Sequence, residues 1–286
     1  MPSQRTLNHW ILPILLACLA SGLMAAVSEQ NWAAAINVAG RQRMLSQKMA
    51  KEFLLARFGI EADAQRKLMQ SSVKLFTESH RRLSTGDAEQ GIPVPPTPEV
   101  QAALAAIDKP WAEFSATLAA ADKGADAAAL AALAAGNEAL LKSVAAMVEV
   151  YEQAQKAAMG TASGKVINWA GRQRMLSQRM AKEALLVAAG ADVEAATGRL
   201  AAARKLFGEA HKALGQGDAT AGIPAPTDPV VQKQFTKVGA LWDRYQAILD
   251  KVAGGDAAAR TELAEASAQM LVETNRATTL LEGQVH

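Results

Sequence analysis

Hydrophobic and polar positions follow helical spacing over nearly the whole chain after its first 28 residues. In the clearest stretch, Ile36, Gly40, Arg43, Gln47, Ala50 and Leu54 share one stripe of a helix drawn at about 100° per residue. Arg41, Lys48 and Glu52 fall on the opposite side, where solvated charges are expected, and Lys51 falls at the stripe's edge. The same spacing and its punctuation predict four helices. The first runs from about Gln30 to Phe58, with Gly59 as a natural stop. The second runs from about Glu61 to Ser84 and ends before a loop in which Pro93, Pro95 and Pro96 forbid helix. Thr97-Pro98-Glu99 starts the third with a capping hydroxyl, a proline at the first position and an acid at the positive helix end. A break at Lys123-Gly124 precedes a fourth, from about Asp126 to Met159. Beyond it the chain either continues as helix or bends at Gly160 and Gly164.

The pattern then begins again. Ile36–Gly59 reads INVAGRQRMLSQKMAKEFLLARFG and Ile167–Gly190 reads INWAGRQRMLSQRMAKEALLVAAG, identical at 18 of 24 positions with an offset of 131. That offset also carries Phe76 to Phe207, His80 to His211, Trp111 to Trp242 and the loop at Gly86 to the loop at Gly217, without an insertion. The period is too long for a solenoid repeat, so each copy is expected to hold its own core. The expected fold is all-α: two tandem up-down four-helix bundles, at 29–157 and 158–286, after an N-terminal segment 1–28.

Composition narrows the function by exclusion. Half of the 286 residues are hydrophobic and only 5% aromatic, as suits helices packed through small side chains. A formal charge of +2 argues against a nucleic-acid partner. One cysteine and four histidines leave no parts for a disulfide framework, a thiolate metal site or a histidine metal centre. Glu78 and His80 are two positions apart, as are Glu209 and His211, so neither pair can chelate one ion; packed or capping histidines are expected. Trp111 and Trp242 read as core anchors. No nucleophile motif, phosphate loop or HExxH is present, so no enzyme, cofactor or metal is expected. The basic start and apolar run from Trp10 to Val27 read as a secretory signal, cut after Gly22 or Ser28. The rivals are an uncleaved anchor and a lipoprotein acylated at Cys18. No other stretch is expected to approach the length of a membrane span.

The candidate chemistry lies on the stripe. A guanidinium held on an apolar, small-residue face needs a partner, and a small planar anion suits its fork of donors. A carboxylate from a neighbouring helix, or an arginine reaching the rim, is the plainer alternative. The string AGRQRMLSQ(K/R)MAK, present twice, resembles the first-helix segment of the PilJ-type domain of type IV pilus chemotaxis transducers. It is also similar to the sensor domain of NarX/NarQ-type nitrate/nitrite sensor kinases. The resemblance implies a periplasmic, non-catalytic sensor in which an arginine from each of two paired first helices holds nitrate. The matching positions are Gly40, Arg43 and Met44, and Gly171, Arg174 and Met175, with Gln47 and Gln178 as nearby polar groups. The pairing is expected either in a homodimer or between the two copies of one chain. A straight connecting helix would instead keep Arg43 and Arg174 far apart. The 286 residues hold no kinase or methyl-accepting region, so a membrane-bound signalling partner is expected. The alternative is a structural or interaction module that docks to such a partner without a small ligand.

Overall fold

The computed structural model describes residues 27–284 apart from 123, 125 and 162, so most of the export or anchor segment, with Cys18, lies outside the described residues. The described chain is helical. In the first copy α1 (Glu29–Arg57) and α2 (Ala62–Thr85) are followed by α3 (Pro98–Ala105), α4 (Asp108–Ala121) and α5 (Ala127–Met159). The second holds α6 (Ser163–Ala188), α7 (Val193–Gln216), α8 (Pro229–Ala253) and α9 (Ala259–Glu282). The caps are those the sequence signals: Thr97 Oγ1 accepts from the Val100 amide, Asp126 from Ala129 and Asp228 from Val230. Each proline-rich loop is closed by a pair of backbone bonds, Asp87 with Ile92 and Asp218 with Ile223.

One expected helix is split. The third helix of the first copy breaks at Ala106–Ile107 and restarts as α4, whereas its counterpart α8 runs unbroken. Pro110 explains the difference. It has no N–H for the carbonyl four residues back, and it is tolerated only in the first turn of a new helix. The equivalent residue in α8 is Leu241.

The bend wins at the junction between copies. Gly160 ends α5 in the left-handed region, at φ 72°, and its N–H bonds the Lys156 carbonyl. The chain reverses there, and α6 returns alongside α1 in its most extensive helix–helix contact. Because helices alternate in direction, these two first helices run parallel. Small residues allow the approach: a Cβ on Gly164 would sit 2.8 Å from the Ile36 side chain.

One expectation about α1 is overturned in part. Of its outer charges Arg41 and Lys48 stay part-exposed, but Glu52 is buried, ion-paired to Lys48 and bonded by Ser72 of α2. Helix α1 also packs on α2, α5 and α9, which leaves a narrow part-exposed stripe through Ala34, Arg41 and Lys48. Helix α5 brings a second correction: over Ala128–Met159 it is long and apolar enough to cross a membrane. Its apolar side packs on α1, α3 and α4 through Leu140, Val144, Met147 and Tyr151, as a core helix does. Trp111 stacks on Phe76 at 4.2 Å and Trp242 packs tilted on Phe207 at 4.5 Å, pinning the second and third helices of each bundle.

Candidate functional site

The α1–α6 pair brings the two motif arginines together at its centre. Gly40 and Gly171 face each other there. A Cβ on Gly40 would lie 3.5 Å from Nη2 of both Arg43 and Arg174; one on Gly171 would lie 3.1 Å from Arg174 and 3.7 Å from Arg43. The two guanidiniums thus converge on one spot next to bare backbone. At about 100° per residue, Asn37 and Arg43 lie roughly 60° to either side of Gly40. Parallel pairing therefore sets each arginine against the asparagine of the other copy. Arg43 Nη2 donates to Asn168 Oδ1 at 2.6 Å and to its carbonyl at 3.2 Å. Arg174 Nη2 donates to the Asn37 carbonyl at 3.2 Å, and its Nη1 to Asn275 Oδ1 at 3.0 Å.

Every one of these acceptors is neutral. Among the described residues neither arginine forms an ion pair, although Arg43 is 2% and Arg174 0% exposed. Carboxylates stand one residue further out, where Asn168 Nδ2 donates to Glu152 and Asn37 Nδ2 to Glu282, and Glu149 also acts on Arg43. Burial pulls the Arg43 guanidinium down to about 9, helped by the like charges of Arg172 and Arg174. Burial and Arg41 pull Arg174 down to about 9. Both stay cationic at neutral pH. The Nε–H of each is buried without a partner, and such a donor costs about 1–3 kcal/mol.

Below the arginines, buried polar layers continue down the interface. Gln47 and Gln178 do not bond the arginines. Their amides donate to Ser46 and Ser177, Gln178 also to the Ser267 carbonyl, and both Oε1 atoms are buried without a donor. Met44 and Met175 are 7% exposed and pack in the core. The next layer is asymmetric. Lys182 Nζ meets Asn137 Oδ1 at 2.8 Å, Glu138 at 2.9 Å and Glu183 at 2.8 Å. Its counterpart Lys51 reaches, among the described residues, only the Ser267 hydroxyl, at 3.2 Å. The position matching Glu138 is Gln269, so the second copy offers Lys51 no carboxylate there. Outside the interface, His80 Nε2 sits 3.0 Å from Asp108, and His211 packs between Phe207 and Phe235.

Sequence spacing finds both arginines and both glycines but misses Asn37 and Asn168. On one helix each asparagine lies about 120° from its own arginine. Only a partner helix makes them neighbours. Their presence in both copies, in INVAG and INWAG, is the signal available beforehand. Asn275 has no such signal, since its counterpart is Val144.

Comparison with known proteins places this geometry. The model of the family described as the N-terminal region of type IV pili methyl-accepting chemotaxis transducers matches twice, over residues 24–136 and 157–270. A curated relative, the methyl-accepting chemotaxis protein McpN of Pseudomonas aeruginosa, is 36% identical over 122 residues. That alignment covers 42% of this chain and 22% of McpN, so the chain matches about a fifth of that relative's length.

The lysine layer yields a test of the interface. Burial pulls the Lys51 amine from 10.5 to about 8. Between those values the unfolded chain binds the additional proton, so the penalty is full below pH 8 and fades as pH rises towards 10.5. Lys51→Met is expected to stabilise the fold by roughly 1–3 kcal/mol at pH 7, with the gain shrinking at pH 10. Lys182→Met removes a cation that Glu138 and the buried Glu183 share with Arg179 and Arg199, and is expected to destabilise it by about 1–3 kcal/mol. Urea unfolding of both variants at the two pH values measures this.

Proposed function

The chain belongs to the family of type IV pilus methyl-accepting chemotaxis transducer N-terminal domains, of which it carries two in tandem, and we propose that it is a non-catalytic sensory protein of the bacterial periplasm. It binds one small planar anion per chain, nitrate or nitrite first, between Arg43 and Arg174. Segment 1–28 acts as export signal or membrane anchor, and the bundles at 29–157 and 158–286 stand in for the two subunits of a sensor dimer. Output passes to a membrane-bound signalling partner.

One observation carries the reading: two fully buried guanidiniums converge on a glycine-lined spot with only neutral acceptors around them. Two like charges in a dry interface repel, and each Nε–H lacks a partner. An anion placed between them removes the repulsion and supplies acceptors. A planar oxyanion matches the guanidinium fork. The ligand-free module has one observation on its side, since the arginine–glutamine stripe is buried against a helix. It leaves the two unneutralised charges without a purpose.

Isothermal titration with nitrate, nitrite and chloride tests the site. Nitrate or nitrite is expected to bind at one per chain, and Arg43→Ala/Arg174→Ala is expected to abolish it. No binding of either anion, or binding unchanged in that variant, overturns the reading. Because both arginines titrate near 9, affinity is expected to hold level from pH 6 to 8 and to fall above about 9, as the cations are lost.

Gly171→Ala separates binding from folding. The added methyl lies 3.1 Å from Arg174 Nη2 and occupies the anion's place. Replacing a mid-helix glycine gains up to about 1 kcal/mol of helix propensity. Affinity is expected to drop about tenfold or more while the melting temperature stays level or rises.

A further inference from the structure

Both arginines are buried, but Arg43 lines an open groove while Arg174 is held by Asn275. We propose that the anion reaches the arginine pair through the groove between α5, α6 and α7, past Arg172 and over Arg43, and not through the matching groove on the other side. The proposal rests on the anion-binding reading above and adds to it the route and the residues that line it.

Arg43 forms the floor of an open cavity of about 310 Å³, roughly ten times the ~30 Å³ share of one water. Leu141, Lys142 and Ala145 of α5 form one wall, Arg172 of α6 stands opposite, and Leu206 of α7 closes the end. Small size at Ala145 keeps the wall low. Arg172 is the charged side chain that acts most strongly on Arg43, which places its field over the floor. The lining also holds Arg179, the Glu138 carboxylate that it pairs, and Glu149, so an anion in this groove meets Arg172, Lys142 and Arg179 against two carboxylates, with the Arg43 guanidinium at the bottom. Charges along such a path raise the local anion concentration and the association rate.

The other side of the pair is closed by the residues the duplication changed. Asn275, at the place of Val144, bonds Arg174 Nη1 and holds a guanidinium that is 0% exposed. Arg276, at the place of Ala145, is exposed and lines a separate cavity with Lys233 and Lys237 of α8. The pseudo-twofold axis thus relates a groove floored by Arg43 to a side where Asn275 holds Arg174.

A route, unlike a binding residue, controls rates without controlling affinity. Ala145→Trp fills the groove, and it is expected to slow nitrate association and dissociation together by about tenfold or more while changing Kd less than threefold. Exchange broadening of ¹⁵N-nitrate by NMR supplies the dissociation rate, and titration supplies Kd. Arg276→Trp, on the capped side, is expected to leave both rates unchanged. Arg172→Gln guards against a folding defect in the tryptophan variant: association is expected to slow about threefold and to lose part of its salt dependence. Unchanged rates in both Ala145→Trp and Arg172→Gln, or slowing by Arg276→Trp instead, overturn the route while the binding site stands. Nitrate that fails to bind the unaltered protein overturns both.

Discussion

Two guanidinium groups buried at the contact of α1 and α6, bonded only to neutral oxygens, impose the condition that the rest of the structure meets. A buried charge is costly unless hydrogen bonds and countercharges surround it. Here the backbone carbonyls of Asn37 and Asn168 and the side-chain amides of Asn168 and Asn275 supply hydrogen bonds without charge. Glu152 and Glu282 supply charge at one remove, each holding an asparagine amide. Burial pushes the Glu282 carboxyl up, while the Asn37 bond and the cations Arg174 and Arg41 oppose it. The glycines then let the helices close until the guanidiniums share one spot. Each part requires the next. Without Gly40 and Gly171 the helices stand apart, and without the asparagines the arginines have no fixed direction.

The duplication turns this from an encounter between molecules into a property of one chain. A dimer must offset lost translational freedom each time it forms. A covalent tandem with a tight turn at Gly160 removes that cost, and the interface persists at any concentration. Fusion also frees the halves to diverge, because a substitution in one copy no longer appears twice. The lysine layer shows the result. Glu138 neutralises Lys182 within a network that includes Arg179 and Glu183, while Gln269 leaves Lys51 with one hydroxyl. Asn275 against Val144 is a second divergence, at the arginine layer itself.

Most of the fold was legible beforehand because the information is local. Caps at Thr97, Asp126 and Asp228, stops at Gly59 and Gly86, and the exact repeat of spacing mark helices wherever the copies pack. The split at Pro110 was equally local, and a proline at the third position of a new helix was the sign that the spacing passed over. What stayed hidden depends on two helices at once. The outer charges of α1 look solvated on a single wheel, yet Glu52 is buried because α2 packs over that side and its Ser72 bonds the carboxylate. Asn37 looks unrelated to any arginine until the other copy supplies one. Gln47 and Gln178 share the arginines' stripe, but one helical turn is enough to hand their amides to serines.

The choice of asparagine over aspartate at positions 168 and 275, whose side-chain oxygens accept from Arg43 and Arg174, carries the functional argument furthest. Aspartate there would give each arginine an ionic partner, relieve the repulsion and stabilise the ligand-free pair. It would also leave nothing for an anion to neutralise. An amide fixes the guanidinium in direction while leaving its charge in force, at a cost in stability borne by the large apolar contact around it. The carboxylates of Glu152 and Glu282 are kept where they steady the amides and cannot occupy the space between the glycines. A structural interface under selection for stability alone has no reason to keep charge in that state. The proposed anion-responsive interface does, because on that proposal the free energy withheld from the empty state is what a bound anion would release.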